Sequence, residues 1–274
     1  METALEGIGI IGAGNMGAAL VRGLIRAGKA SPQSILIFDV DTSKTKSLVQ
    51  DLGVRAALTL EETLSPDIRT IILAVKPQNM ADVLDSMRSG IHDGLLVISI
   101  AAGISTEFIL ERLGERARVI RAMPNAAAMV GESATALCRA GGASDSDVEN
   151  AVEIFSAVGR AVLVQEKLMN LVTGLAGSGP AYVFAIMEGL IDAGVLLGLD
   201  RATARALTVQ TILGAATMAA QEEVHLGMLK DRITSPGGTT IAGLHVLERE
   251  GLGGILMDAV VAATRRGEEL GATK

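Results

Sequence analysis

The sequence predicts an α/β fold in which a doubly wound parallel sheet is followed by an all-α domain. Three observations predict it. Short apolar, β-branched runs alternate with helix-patterned segments through the first half of the chain, the pattern of βαβ units and a parallel sheet. The first of these runs leads directly into glycines spaced G-x-G-x-x-G at Gly12, Gly14 and Gly17. From about Val164 no β-rich run remains, and apolar residues recur at helical spacing through 180–197, 203–220 and 251–266. The boundary is placed near residues 163–165, giving a sheet domain over 1–163 and a helical domain over 164–274.

Ile8, Ile10 and Ile11 form an uncharged run, as expected of a strand buried on both faces. The three glycines follow it, ahead of apolar residues at helical spacing. In a Rossmann-type site each glycine has a physical task. The first permits a tight turn, the second lets a pyrophosphate approach the backbone, and the third lets helix and strand pack closely. The helix N-terminus then offers unpaired N–H groups to the phosphates. Ile11, Gly12, Ala13, Gly14, Asn15, Met16 and Gly17 are therefore candidate cofactor-binding residues. The competing reading is a glycine-rich turn that binds nothing; the strand–turn–helix context favours the nucleotide.

Residues 35–39 read as a second buried strand ending in an acid. Asp39 lies 22 positions after Gly17, where a carboxylate accepts hydrogen bonds from the adenosine ribose and repels a 2′-phosphate, favouring NADH over NADPH. Asp41 is a rival, and either Asp could instead cap the helix expected over Thr42–Leu52. Residues 70–75 form the next strand, and Pro77 suits the first turn of a helix running to about Met87. Ligands of open α/β sheets lie outside the carboxyl ends of the strands, which places Ala74, Val75, Lys76 and Pro77 in the cofactor groove. A lone Lys76 is otherwise an ordinary solvated charge. Residues 95–99 are a further strand, followed by the small side chain of Ala101. The strand beginning at Val119 ends at Met123, leaving Pro124 and Asn125 at the same edge.

Composition removes several classes of function. The chain is 274 residues long and 49% apolar, too apolar for disorder. With no Trp, one Tyr and a net charge of −7, it lacks both the stacking aromatics and the basic face of a nucleic-acid binder. Cys138 is alone and the three His are dispersed, so no metal site is expected. Met1 leads into the first strand without a basic n-region or cleavage site, which points to the cytoplasm. The uncharged stretch 171–187 is interrupted by Gly174, Gly177 and Gly179-Pro180, so a buried helix beginning at Gly179-Pro180 is expected there, not a membrane span. The helical segments carry wide apolar stripes that one copy would leave uncovered, and a homodimer with interlocked helical domains is expected.

The helical half holds a second candidate site in D-R-I-T-S-P-G-G-T-T-I-A-G-L-H-V-L-E, residues 231–248. Ser235 is placed as an N-cap and Pro236 as the first helical residue. A plain capped helix does not explain Gly237 and Gly238, which weaken helix propensity where the helix should nucleate. Adjacent glycines expose backbone N–H groups, and with the hydroxyls of Ser235, Thr239 and Thr240 they make a neutral pocket suited to a small carboxylate.

At these residues the chain resembles the pyrroline-5-carboxylate reductases. The resemblance runs from I-G-A-G-N-M-G at residues 11–17 through A-V-K-P-Q at 74–78, R-A-M-P-N at 121–125 and V-T-G-L-A-G-S-G-P-A-Y at 172–182. It ends in S-P-G-G-T-T-I-A-G-L-H-V-L-E at 235–248. It implies reduction of the C=N bond of a cyclic imine carboxylate by NADH or NADPH. It also implies a substrate carboxylate held by Ser235 and the backbone from Gly237 to Thr239, with Thr240 at the imine nitrogen. Glu223, with His225, matches a polar pair near that active site. The family's oligomers are dimers interlocked through the helical domain, some assembled further into decamers. The chain departs from the pattern at Ala126-Ala127, where Thr-Pro is common, and at Leu226, where His-Pro is common. It departs again at Asn170, where an acid is common, and at Asp39, where NADPH-using members tend to carry Ser, Thr or Asn with a nearby Arg; here Lys44 is the nearest cation. Two rival readings stand beside this one. A β-hydroxyacid dehydrogenase would need Lys167, with Asn170 three residues on, as its acid–base lysine, and it lies before the G-S-G-P segment where such enzymes place it after a glycine-rich one. A redox sensor that binds NAD without chemistry would have no use for an intact S-P-G-G-T-T pocket.

Overall fold

The computed structural model describes residues 5–272; the reading of a bare N-terminus falls partly on residues 1–4, outside the described residues. The chain divides into two compact units. One runs through Ser178 and takes in the chain again from Ala262, and the other is Gly179–Val261.

The first unit is built on an eight-stranded sheet in the order β3-β2-β1-β4-β5-β6-β7-β8. Its strands are β1 (Ile8–Ile11), β2 (Ile35–Phe38), β3 (Arg55–Ala56), β4 (Thr70–Leu73), β5 (Leu96–Ser99), β6 (Arg118–Met123), β7 (Ser133–Gly141) and β8 (Gly159–Leu163). Every pairing is parallel except β6 with β7. β1, β4 and β5 bury every residue, as strands covered on both faces must. The cover is one apolar layer on each face. Leu20 and Leu24 of α1 (Asn15–Arg26) pack on one side with Ile154 and Phe155 of α5 (Asp145–Ser156). Met80 and Leu84 of α3 (Met80–Met87) pack on the other with Ile109 of α4 (Thr106–Leu113). The sheet is therefore doubly wound, and the chain reverses direction across it between β1 and β4.

Three strands, β3, β7 and β8, go beyond those read from the sequence. β3 is two exposed residues long. β7, S-A-T-A-L-C-R-A-G, carries three Ala and a Gly and only one β-branched residue, Thr135, so its own composition gives little strand signal. It follows β6 through a 3-10 turn at Ala126–Val130, because an antiparallel neighbour needs no crossover helix. Cys138 on β7 is buried, and burial, reinforced by the neighbouring Glu166 carboxylate, pushes its thiol up to about 12, far from a reactive thiolate. Arg121 on β6 is buried and donates to Glu166 Oε1 at 2.6 Å, which also accepts the Thr106 N–H at 3.2 Å.

The second unit is helical, and the helices continue the numbering after α2 (Thr42–Leu52) and α6 (Met169–Val172) of the first. A π-helical turn, Thr173–Gly177, leads to α7 (Gly179–Leu196), with Pro180 in its first turn as expected. α8 (Arg201–Gln221) packs against α7, where a Cβ on Gly194 would come within 3.0 Å of Ala204 Cβ. α9 (Leu226–Arg232) and α10 (Thr239–Arg249) follow, and α11 (Leu252–Ala272) begins in this unit and ends in the first. The expectation that α7 is buried is corrected: none of its residues is buried within the chain, and Phe184 and Leu190 are exposed. Leu207 and Leu213 of α8 and Ile255 and Met257 of α11 are exposed too. α7 and the turns before it, Glu166–Leu196, have a mean hydropathy of 1.3 and are long and apolar enough to cross a membrane by length and composition. Exposed apolar area of this extent asks for a cover.

Candidate active site

Gly12, Gly14 and Gly17 divide the work at the end of β1. Gly12 has φ +110, and a Cβ there would lie 2.6 Å from the Ala74 carbonyl oxygen. A Cβ on Gly17 would lie 2.0 Å from the Gly12 carbonyl oxygen, so α1 can approach the turn only through a glycine. Gly14 is the opposite case, since a Cβ there would meet nothing within 4 Å. Its backbone faces open space at the N-cap of α1, and no side chain caps that helix. The turn is tied to both neighbouring strands: Gly12 N–H donates to Phe38 C=O at 2.7 Å and Ala74 N–H to Ile11 C=O at 2.8 Å.

The turn opens on a cleft of about 450 Å³. Ile11, Gly12, Gly14, Asp39, Ala74, Val75 and Lys76 all line it. Ala13, Asn15, Met16 and Pro77 stand within two residues of lining residues in the chain without lining it themselves, and Gly17 packs against Gly12 and Ala74. Phe38, Val40, Asn79, Asp82 and Val83 also line it, though the sequence did not single them out. Val40 was the one with a signal in the sequence, an apolar residue between two aspartates, and in the structure it is exposed.

Asp39 and Asp41 have separate duties. Asp41 is the N-cap of α2, accepting from Ser43 N–H at 3.1 Å and Ser43 Oγ at 2.5 Å. The Ser43 hydroxyl, more than any other group, lowers its carboxyl pKa. Asp39 does not cap. Its Oδ2 accepts from the N–H of Ala13 in the glycine turn at 2.7 Å, its Oδ1 from Asp41 N–H at 2.8 Å, and its side chain is only 11% exposed. Lys44 Nζ stands 3.7 Å from Asp39 and 3.6 Å from Asp41.

Ala101, Pro124 and Asn125 are buried past the ends of β5 and β6 and do not line this cleft. Asn125 is a brace: its Nδ2 donates to Ala176 C=O at 3.0 Å and its Oδ1 accepts from Ala127 N–H at 3.1 Å. It ties the turn that carries Ala126-Ala127 to the π-helical segment.

In the second unit the helix start differs from the sequence reading. Gly238, not Ser235, is the N-cap, and α10 begins at Thr239, not Pro236. Residues 235–238 form a turn closed by Gly238 N–H donating to Ser235 C=O at 3.1 Å. Pro236 takes its second position and Gly237, at φ +67, its third, the arrangement of a type II turn. The two glycines are needed for different reasons. Gly237 supplies the left-handed backbone, whereas a Cβ on Gly238 would lie 2.3 Å from Ser235 Oγ. No side chain caps α10, and among the described residues the hydroxyls of Ser235, Thr239 and Thr240 have no hydrogen-bond partner. Glu223 is exposed ahead of α9, which His225 caps by accepting from Gly227 N–H at 3.1 Å.

Comparison with known proteins agrees with both halves. Residues 7–103 match the family model described as NADP oxidoreductase coenzyme F420-dependent, and residues 166–270 match that of pyrroline-5-carboxylate reductase dimerisation. The pyrroline-5-carboxylate reductase of Methanosarcina acetivorans is 47% identical over 96% of this chain and 97% of its own. This chain belongs to the pyrroline-5-carboxylate reductase family. The solved pyrroline-5-carboxylate reductase of Coxiella burnetii superposes with a TM-score of 0.93 at 36% identity, covering 97% of this chain and 98% of its own. The Plasmodium falciparum pyrroline carboxylate reductase, solved with NADP bound, gives 0.83 at 31% identity over 96% and 97% of the two chains. The pyrroline-5-carboxylate reductase dimerisation region, residues 166–270, takes in α6 to α10 and nearly all of α11, and so includes α7, α8 and α11, whose apolar residues the single chain leaves exposed.

Proposed function

We propose that this chain catalyses the NAD(P)H-dependent reduction of 1-pyrroline-5-carboxylate to L-proline, the last step of proline biosynthesis, as a cytoplasmic homodimer joined through its helical domain. Family membership supplies the reaction, and the observation that carries it to these residues is the uncapped turn and helix start at residues 235–240, with its three free hydroxyls. Assembly of such dimers into a decamer is the further expectation.

The cleft beside β1 fits a dinucleotide. At Gly14 a side chain is missing where one would fit freely, and the uncapped N-terminus of α1 points its N–H groups there. The N–H groups of Gly12 and Ala13 are committed to Phe38 and Asp39, so those at the uncapped start of α1, from Gly14 to Met16, would hold the pyrophosphate, and Ala74, Val75 and Lys76 would flank it. When bound, the reduced nicotinamide supplies the hydride that adds to the imine carbon. Asp39 keeps a fixed carboxylate where a 2′-phosphate would lie, and NADH is the preferred form on that ground.

The substrate carboxylate is assigned to Ser235 Oγ and to backbone N–H groups of the turn. Gly238 N–H is already committed to closing the turn, so the donors are those of Gly237 and Thr239. Thr240, one residue into α10, hydrogen-bonds the imine nitrogen. A threonine hydroxyl is too weak an acid to protonate that nitrogen unaided at neutral pH, so the substrate binds as the iminium or water delivers the proton. The exposed Glu223 carboxylate offers a counter-charge to that cation. Holding two reactants in a fixed orientation then accounts for most of the rate.

The test is cofactor oxidation followed with pyrroline-5-carboxylate, run with NADH and with NADPH and scored for proline. Thr240→Ala should lower kcat by about 100-fold, within the range of general acid–base contributions, while dinucleotide affinity stays close to that of the parent. No proline formed with either cofactor overturns the assignment. An unchanged kcat in the variant removes Thr240 from the mechanism.

A further inference from the structure

One corner of the dinucleotide cleft holds an unequal pair of ionic groups. Asp39 is fixed by two short bonds from backbone N–H groups, 2.7 Å from Ala13 and 2.8 Å from Asp41, and its side chain is 11% exposed. It cannot turn away without releasing the glycine turn. Lys44, on the first turn of α2, is held loosely. Its Nζ lies 3.7 and 3.6 Å from the two aspartates, it makes no hydrogen bond at those distances, and its side chain is 47% exposed. Exposed pairs of this kind contribute little, so the ammonium can leave them at small cost. Lys44 and Asp39 both line the cleft.

We propose that Lys44 is the specificity-determining cation that admits a 2′-phosphate, so that the fixed negative charge of Asp39 disfavours NADPH without excluding it. The proposal rests on the reading of this cleft as the NAD(P)H site. With the 2′-hydroxyl form bound, Lys44 stays between Asp39 and Asp41 and offsets their charge. With the 2′-phosphate form it moves to the phosphate oxygens, a charge-assisted contact that exceeds the loose pairs it gives up. Lys76 also lines the cleft, but it follows β4, on the other side of β1 from β2. It therefore serves as a control that should leave the ratio between the two cofactors alone.

The readout is direct binding, independent of turnover. Dissociation constants for NADH and NADPH are measured on the full-length protein by cofactor fluorescence, together with ADP and 2′,5′-ADP by calorimetry. Lys44→Gln should shift the NADPH-to-NADH ratio of dissociation constants against NADPH by at least about tenfold and shift the 2′,5′-ADP-to-ADP ratio in step. Lys44→Arg should retain the parent ratio. Added salt should weaken NADPH binding more steeply in the parent than in Lys44→Gln. A ratio that moves less than twofold in Lys44→Gln, or moves as far in Lys76→Gln, overturns the proposal. A parent protein that binds neither dinucleotide overturns the cofactor reading itself.

Discussion

The glycines of the first turn show how one residue type serves opposite ends. Gly17 lacks a side chain because the Gly12 carbonyl oxygen would be 2.0 Å from its Cβ, whereas Gly14 lacks one with nothing of the protein nearby. Substituting each with alanine should therefore separate folding from binding. Gly17→Ala forces backbone against backbone and should destabilise the protein by about 3 kcal/mol. Gly14→Ala, at φ −69, should cost about 1 kcal/mol or less as an N-cap change yet weaken dinucleotide binding by placing a methyl group where the phosphates approach. Thermal denaturation and fluorescence titration on the two variants check this; comparable melting temperatures would show that the third glycine is not a packing requirement. The same logic applies to Gly237 and Gly238, where the sequence could flag an unusual pair but not say that one provides a backbone angle and the other leaves room for Ser235 Oγ.

At the scale of elements, α5 is fastened at its start by a capping box. Ser144 and Asp147 bond each other's backbone N–H groups, and Asp147 also takes a two-point ion pair from Arg118 on β6, Nε to Oδ2 at 3.0 Å. Burial opposes ionisation of Asp147, but the bonds from Arg118 and Ser144 outweigh it and hold its carboxyl below the usual carboxylate range. A carboxyl depressed in the folded state contributes stability that is present above its unfolded value, near pH 4, and is lost as pH falls through the folded value. Asp147→Asn should thus destabilise the protein by about 2 kcal/mol or more at neutral pH, and the gap between variant and parent should narrow below pH 4. Urea denaturation at a series of pH values measures it; a gap that stays constant into acid would mean the charge is irrelevant. Elements of this kind also mark where sequence reading ends. β1, β4 and β5 were legible because burial on both faces demands unbroken apolar runs. β7 was not, because an alanine-rich strand is stabilised by its neighbours β6 and β8 and not by its own composition. The turn at residues 235–238 was half legible: Pro and Gly announced irregular backbone, but a type II turn and a capped helix share the same residue types, and only the φ of Gly237 separates them.

For the molecule as a whole, the open apolar faces of α7, α8 and α11 set the expectation for assembly. Light scattering after size exclusion should give a dimer or a multiple of it at micromolar concentration, and a stable monomer would sink the homodimer. Phe184→Glu, at a position 62% exposed in the single chain, should shift the population toward monomer, since a buried unpaired carboxylate is costly at an interface. A different consequence follows from the last helix. Within the first unit, Gly267 of α11 lies against Asn170, and a Cβ on Gly271 would sit 3.8 Å from the Gly103 carbonyl oxygen. The ribosome makes the sheet early, and β8 is finished at Leu163, yet the segment that closes over Gly103 is among the last to emerge. The contacts of α11 with Asn170 and Gly103 therefore form only after the intervening helical unit has been made, whereas the residues that line the dinucleotide cleft, from Ile11 to Val83, all precede it in the chain.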